Sequence, residues 1–151
     1  PLDINPAAIT QTQLNQWTKE GIIEYLGKTN DVRPFIAESS VYVLPSYREG
    51  TPRSVLEAMS MGRPVITTDA PGCRETVVNG RNGFLVPVKD ISALKSAMEK
   101  FILEPDLIIQ MGRQSRIIAE EKYDVRKVNR VILQEMGLID ANEMLGDNLC
   151  V

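Results

Sequence analysis

Apolar residues follow two alternating patterns along the chain, short continuous runs and longer stretches with helical spacing. Each short run is rich in β-branched or aromatic residues and is closed by Gly, Pro or a polar turn, which predicts a buried strand. Strands that alternate with helices form a parallel sheet with both faces covered. The predicted fold class is therefore α/β, with a Rossmann-like parallel sheet. The predicted strands cover residues 22–26, 41–44, 64–68 and 84–86.

The longer stretches have apolar residues at intervals of three or four and cap signals at their ends. Thr51 followed by Pro52 predicts one helix start, because the hydroxyl can cap and Pro lacks an N–H that would be unpaired there. Asp90 predicts a second capped start. The predicted helices cover residues 6–20, 31–38, 52–61, 74–78, 91–103, 105–123 and 124–136.

Size and composition are those of an ordinary globular domain. The chain has 151 residues, 43% of them hydrophobic and 25% charged. We expect one domain over residues 1–137 and a frayed tail over 138–151, where the apolar periodicity fades.

Charge and residue types narrow the function classes. A net charge of −3 without His argues against nucleic-acid binding, and two cysteines without His make a disulfide framework or a zinc site unexpected. We expect neither a metal nor a cofactor. No apolar run has the length of a membrane span and no leader pattern is visible, so the expected location is the cytoplasm.

An acidic loop between the second predicted strand and the central helix is the most specific feature. Glu49 lies in this loop, and Glu57 follows about one and a half turns into the helix. Roughly 10 Å of helix axis separates them. The free N–H groups of the first helical turn lie between them and bind anions. A nucleotide-diphosphate sugar matches this row, since hydroxyl groups flank its two phosphates.

These glutamates stand in the segments LPSYREG at residues 44–50 and LEAMSMGRPV at residues 56–65. Together with PGCRETV at 71–77 and NGRNGFLVP at 79–87, the composite motif resembles the carboxyl-terminal half of retaining GT-B glycosyltransferases, the glycosyltransferase family 4 type. The similarity covers roughly residues 20 to 137.

The resemblance implies a role for each matching residue. Glu49 would be the catalytic residue and would contact hydroxyls of the donor sugar near the reacting carbon. Glu57 would bind the ribose hydroxyls. The donor would be a UDP-sugar or another nucleotide-diphosphate sugar. Lys28 follows the first predicted strand and does not match the family's basic positions, yet it stays a candidate. The donor-binding candidates besides Glu57 are Gly50, Thr51, Pro52, Arg53 and Lys28.

Each candidate also has a plain structural interpretation. Glu49 by itself could be a solvated acid near a helix N-terminus, which stabilises by about 0.3–1 kcal/mol. Glu57 could form an i,i+4 ion pair, but position 61 is Met. Arg53 could neutralise the charge of the diphosphate or could simply lie exposed on the first turn, and the sequence favours neither interpretation. Cys73 is expected to pack in the core rather than react.

The resemblance further implies glycosyl transfer with retention, in bacterial surface polysaccharide assembly, with the enzyme free in the cytoplasm or peripheral at the inner membrane. The acceptor, a glycan or a lipid-linked sugar, would be held by a first half that this chain lacks. We therefore expect the donor-binding part of a glycosyltransferase, with no catalysis by this part alone. The alternative is a non-catalytic nucleotide-binding or self-associating module. A sugar-nucleotide epimerase and a two-carboxylate hydrolase fit less well.

The missing strands lead to an expectation about assembly. In the family's sheet order, two absent strands would separate residues 22–26 from residues 41–44. Their absence would leave the edge at 41–44 bare, and unpaired strand edges favour association. Either residues 22–26 pair there, or two chains meet at their strand edges. We expect a homodimer or another association through strand edges.

Overall fold

In the computed structural model, which describes residues 9–139, the chain divides into two units, the first ending at Asp31 and the second beginning at Val32. The first unit contains helix α1, Gln11–Lys19. The second unit contains, in order, α2 (Arg33–Glu38), β1 (Tyr42–Leu44), α3 (Arg53–Ser60), β2 (Val65–Thr68), β3 (Gly83–Val86), α4 (Ile91–Leu103), α5 (Asp106–Lys122) and α6 (Val125–Glu135).

Helix α1 of the first unit begins with a capping box. The Thr10 hydroxyl accepts from the Gln13 amide at 3.2 Å, and the Gln13 side chain accepts from the Thr10 amide at 3.1 Å. These two bonds pair N–H groups that a helix start otherwise leaves free. The helix begins at Gln11, later than the predicted start at residue 6, and residues 6–8 lie outside the described part of the chain.

The strand predicted over residues 22–26 is wrong. The structure has neither helix nor strand there, and Ile22, Tyr25 and Leu26 are all more than half exposed. A strand exists only when its backbone groups pair with a neighbour. In the part of the chain that the structure describes, no extended segment pairs with this run, so its apolar composition alone does not make it a strand. The Gly27 turn that follows does have the positive φ, 77°, that its glycine permits.

The sheet of the second unit is parallel, with the order β1-β2-β3. Val43 is in register with Ile66, and Ile66 with Phe84. Strand β2 is central and buried along its whole length, as its continuous apolar run predicts. These three strands and the α/β fold class are confirmed.

Helices cover both faces of this sheet. On one face Val65 packs with Val55 and Met59 of α3 and with Ile118 of α5. On the other face Ile66 packs with a group that includes Phe101 of α4 and Met111 of α5. Adjacent residues of β2 thus pack into the cores on opposite faces of the sheet, because side chains alternate along a strand. The turn after α3 approaches α5 so closely that a Cβ on Gly112 would lie 2.2 Å from the Gly62 carbonyl oxygen.

Cap and turn predictions were confirmed in part. Asp90 caps α4, accepting from the Ala93 amide at 2.8 Å. Thr51 does not cap α3: the helix begins at Arg53, and its N-cap is Pro52, which offers no side-chain hydrogen bond. The helix predicted over 74–78 is a series of turns instead. Its hydrogen bonds, such as Thr76 N–H to the Cys73 carbonyl, span three residues and do not continue as a helix.

Within residues 9–139, no helix is both long enough and apolar enough to cross a membrane. The predicted boundary between a domain over 1–137 and a tail over 138–151 stays a prediction, since residues 140–151 lie outside the described range.

Candidate functional site

The carboxyl ends of the three strands meet at one edge of the sheet, because all three run parallel. The loop after Leu44 leads to α3, the loop after Thr68 contains the turn at Gly72, and the loop after Val86 leads to α4. Ligands of open α/β sheets bind at this edge. The sequence predicts loops at residues 27–30, 46–51 and 69–74 for this edge, because each follows a predicted strand. The loops at 46–51 and 69–74 do follow strands of this sheet, and residues 27–30 belong to the first unit.

Backbone contacts join the first two loops. The Glu49 amide donates to the Pro71 carbonyl at 3.1 Å, and the Thr68 hydroxyl donates to the Ser46 carbonyl. Gly72 has a φ of 83°, and a Cβ there would lie 2.1 Å from both the Glu49 and the Gly50 carbonyl oxygens. Only glycine fits that turn without displacing the acidic loop. The loop that carries Glu49 is therefore held in place by the turn after β2.

The Glu49 carboxylate is half-buried and oriented by a neighbour. Its Oε1 accepts from the Ser46 hydroxyl at 2.6 Å. Oε2 has no hydrogen bond to any group in residues 9–139. One oxygen is thus used to fix the side chain, and the other is left for a ligand.

The start of α3 presents unpaired amides beside this carboxylate. The Pro52 carbonyl accepts from the Val55 and Leu56 amides, which starts the helix without a capping side chain. Across residues 9–139, no acceptor is found for four backbone N–H groups that precede those two. Free N–H groups and the helix dipole together make a site for an anion. The four belong to Gly50, Thr51, Arg53 and Ser54.

The side chain of Ser54 ties this helix start to the sheet. Its hydroxyl accepts from the Tyr42 hydroxyl at 2.7 Å, so the first turn of α3 is anchored to β1. Tyr42 comes from the strand that precedes the acidic loop. The loop is therefore fixed at both ends as well as in the middle.

Glu57 lies four residues beyond Arg53, about 6 Å further along α3. Its side chain is half-buried, and the described part of the chain offers it neither a hydrogen bond nor an ion pair. The helix thus has an uncompensated carboxylate where the i,i+4 neighbour is Met61. This is consistent with the predicted ligand-binding role and removes its main structural alternative.

The cationic candidates differ in their surroundings. Arg53 is exposed on the first turn of α3. Lys28 is exposed and lies in the first unit, outside helix and strand. Arg74 pairs with the Asp69 carboxylate at 2.8 Å. Cys73 is completely buried, as the packing interpretation requires.

One group at this edge was missed by sequence reasoning. Lys89, in the loop after β3, has a φ of 63°, and its Nζ lies 5.5 Å from the centre of the Tyr47 ring. Both residues line a cavity of about 200 Å³. The only signal in the sequence is a lysine directly before the N-cap Asp90, after a predicted strand.

Residues 5–104 match the sequence model of the family described as Glycosyl transferases group 1. The match covers well over half of the 151 residues, and the chain therefore belongs to this family. An uncharacterized glycosyltransferase of Haemophilus influenzae is 34% identical over 110 residues, 72% of this chain and 31% of that protein. The capsular polysaccharide biosynthesis glycosyltransferase CapM of Staphylococcus aureus is 34% identical over 107 residues, 71% of this chain and 27% of that protein.

Solved structures agree on the fold. The crystal structure of Anabaena HepE in complex with UDP matches 85% of this chain and 35% of that one, with a TM-score of 0.77 and 25% identity. The same protein has been solved in complex with UDP-glucose, with a TM-score of 0.75. The predicted membership of a group 1 glycosyltransferase family and the GT-B-type α/β fold are thereby confirmed. The chain spans about a third of the length of the curated relatives it matches.

Proposed function

We propose that this chain is the donor-binding part of a retaining glycosyltransferase of the family 4 type. It would hold a nucleotide-diphosphate sugar, UDP-linked, while the sugar moves to a glycan or a lipid-linked acceptor. The observation that carries this proposal is the row formed by Glu49, the unpaired amides at the start of α3, and Glu57. HepE, which shares the fold, has been solved with UDP and with UDP-glucose, and this supports the choice of UDP.

In this proposal each part of the donor has a position along the row. The diphosphate lies on the free amides of Gly50 to Ser54, where the helix dipole favours negative charge. Gly50 has open space around its Cα, so the backbone can approach a phosphate. The Arg53 side chain adds positive charge, and Pro52 exposes the site by ending the loop without a capping side chain. Glu57 accepts from the ribose hydroxyls, and Glu49 accepts from hydroxyls of the sugar.

The chemical step follows from this placement. The bond between the anomeric carbon and the diphosphate oxygen breaks, and the negative charge that develops on the phosphate is stabilised by the amides. The acceptor hydroxyl attacks the same face that the diphosphate leaves, which retains the configuration. Its proton passes to the departing phosphate oxygen on that face. Positioning and charge stabilisation supply the rate, and no covalent intermediate on the chain is required.

The proposal includes independence from metal. A helix start with several free N–H groups offsets diphosphate charge without a divalent cation. Calorimetric titration of UDP should give the same affinity in EDTA and in manganese. Binding that EDTA abolishes and manganese restores would contradict this part.

Calorimetry with UDP, UDP-glucose and GDP-mannose tests the proposed function as a whole. We expect UDP and UDP-glucose to bind with one site per chain, and GDP-mannose to bind more weakly. Inorganic pyrophosphate should compete with UDP, because both would use the same amides. If no nucleotide binds, the donor-binding function is wrong. If nucleotides bind but the chain joined to an acceptor-binding half transfers no sugar, the non-catalytic nucleotide-binding module is the better description.

The β1 edge supports a proposal on assembly. Within residues 9–139 the sheet has three strands, and β1 pairs with β2 on one side only. Residues 22–26 form no strand, so they do not pair with the open edge of β1. We therefore keep the proposal that two chains associate through strand edges. Sedimentation equilibrium should show a dimer; a monomer at millimolar concentration would refute it.

A further inference from the structure

Ser46 forms a hydrogen bond that acts on a side chain of the acidic loop and not on its backbone. Its hydroxyl donates to Oε1 of Glu49 at 2.6 Å, and both side chains are half-buried. A hydroxyl that donates to a carboxylate at this distance forms one of the stronger hydrogen bonds in proteins. The bond restricts where the Glu49 carboxylate can point.

Ser46 is itself held by the neighbouring strand β2. Thr68, the last residue of β2, is 2% exposed, and its hydroxyl donates to the Ser46 carbonyl. One residue earlier, the Thr67 hydroxyl donates to the Leu44 carbonyl at 2.8 Å. The two threonines continue the contact between the strands beyond Pro45, which has no N–H to donate. Because β-branched side chains have a restricted χ1, the position of Ser46 is well defined.

The backbone of Glu49 is held by contacts that do not involve Ser46. The Glu49 amide donates to the Pro71 carbonyl at 3.1 Å, and the turn at Gly72 lies against the Glu49 carbonyl oxygen. Both contacts remain when the Ser46 hydroxyl is removed. Within residues 9–139, by contrast, no second group forms a hydrogen bond or ion pair with the Glu49 carboxylate. The Ser46 hydroxyl therefore restrains the carboxylate in particular.

This restraint matters for a ligand of Glu49. A long side chain that is mobile in the free protein loses rotamer freedom when it binds, and affinity falls accordingly. Ser46 imposes that order before the ligand arrives. An ionised carboxylate only accepts hydrogen bonds, so its ligand must donate them, as a sugar hydroxyl does and a phosphate oxygen does not. The restraint therefore favours binding of the donor's sugar and has no effect on its diphosphate.

We propose that Ser46 is a positioning residue for recognition of the donor sugar. It holds Oε1 of Glu49, and the remaining oxygen, Oε2, accepts from a hydroxyl of the sugar. Thr68 supports this arrangement through the Ser46 backbone. The inference rests on the proposed function, since it concerns the sugar end of the same donor site. It assigns a role in sugar recognition to a serine that lies outside the row of Glu49, the α3 amides and Glu57.

The test compares UDP-glucose with UDP by calorimetry on the 151-residue chain. In Ser46→Ala the Kd for UDP-glucose should rise about threefold to tenfold, the factor expected when one long side chain must be ordered on binding. The Kd for UDP should stay the same, because UDP carries no glucose for Glu49 to bind. Ser46→Thr keeps a hydroxyl at this position and should restore binding of UDP-glucose.

Ser39→Ala is the matched control. It removes another serine hydroxyl, which is exposed at the end of α2 and donates to the Phe35 carbonyl at 2.7 Å. It should alter neither Kd.

A second background separates positioning from general stabilisation of the loop. In the variant Glu49→Ala, adding Ser46→Ala should leave the Kd for UDP-glucose unchanged, because the carboxylate on which Ser46 acts is absent. Residues that act through one another are non-additive in this way, whereas independent effects on stability add.

Three results would overturn the proposal. The first is a Kd for UDP-glucose that rises in Ser46→Ala no more than the Kd for UDP does. The second is a further loss of UDP-glucose affinity when Ser46→Ala is added to Glu49→Ala. The third is Ser46→Thr binding UDP-glucose as weakly as Ser46→Ala. UDP titrated alone reports on the proposed function separately, so a chain that binds UDP but fails these comparisons refutes only this inference.

Discussion

Replacing Glu57 by Ala should weaken UDP binding by removing the contact with the ribose. The Glu57 carboxylate is half-buried on α3 and has no partner within residues 9–139, so removing it leaves no other buried group unpaired. A hydrogen bond to a charged group contributes about 1.5–3 kcal/mol net when desolvated. For the contact of Glu57 with two ribose hydroxyls at a half-exposed site we take a binding free energy of roughly 2 kcal/mol in all. Losing it corresponds to about a thirtyfold rise in the Kd for UDP.

The assay pairs this variant with a nucleotide that lacks the same contact. In the wild type, 2′,3′-dideoxy-UDP should bind about thirtyfold more weakly than UDP by the same accounting. In Glu57→Ala the two nucleotides should bind equally, because neither can use a carboxylate that is absent. Glu121→Ala, which replaces an exposed glutamate on α5, is the control and should leave both affinities unchanged. If Glu57→Ala lowers UDP and dideoxy-UDP affinity by the same factor, the effect is not on the ribose and the assigned role is wrong.

Three further outcomes are expected. Glu49→Gln in a complete enzyme should lower turnover at least tenfold with UDP affinity little changed, since only Glu49 adjoins the reacting sugar; equal loss of UDP affinity in Glu49→Gln and Glu57→Ala would contradict this. Gly72→Ala should lower the free energy of unfolding by about 3 kcal/mol or more, because its Cβ would overlap the Glu49 carbonyl. Gly80→Ala, with a similar φ of 78° but open space, should cost only about 1–2 kcal/mol in urea unfolding. The hydrogen bond from Arg126 lowers the pKa of Asp124 to about 2, from 3.8. Its stabilisation of the α6 start is therefore complete above about pH 5 and is lost as the pH falls through 3.8 towards 2. Faster amide exchange in the first turn of α6 should reveal this loss, and unchanged exchange over that range would refute it.

The parts of the fold that the sequence predicts well are those fixed by local signals. Helix α4 has both an Asp90 cap and a regular apolar face, and its predicted and observed bounds agree. Strand β2 is a continuous β-branched run that only a buried strand accommodates. By contrast, the run at residues 22–26 has strand composition but no pairing partner among residues 9–139, and pairing is not a local property.

The candidate site divides in the same way. The spacing of Glu49 and Glu57 and their place on a loop and a helix could be read from the sequence, because the turn and helix signals around them are local. The cap predicted at Thr51 was wrong, since the N-cap is Pro52, whose side chain offers no hydrogen bond. The contact of Gly72 with the acidic loop and that of Lys89 with Tyr47 join residues far apart in the chain. Only the folded backbone brings those together.

The central claim is that the unpaired amides at the start of α3 bind the diphosphate between Glu49 and Glu57. Backbone amide NMR of the isotope-labelled chain, titrated with UDP and in parallel with uridine, tests this directly. The account predicts large shifts of the Gly50, Thr51, Arg53 and Ser54 amides with UDP and small ones with uridine, because uridine carries no phosphate. Shifts that cluster instead around Gly62 and Gly112, at the opposite end of α3, or UDP shifts that uridine reproduces in full, would contradict it.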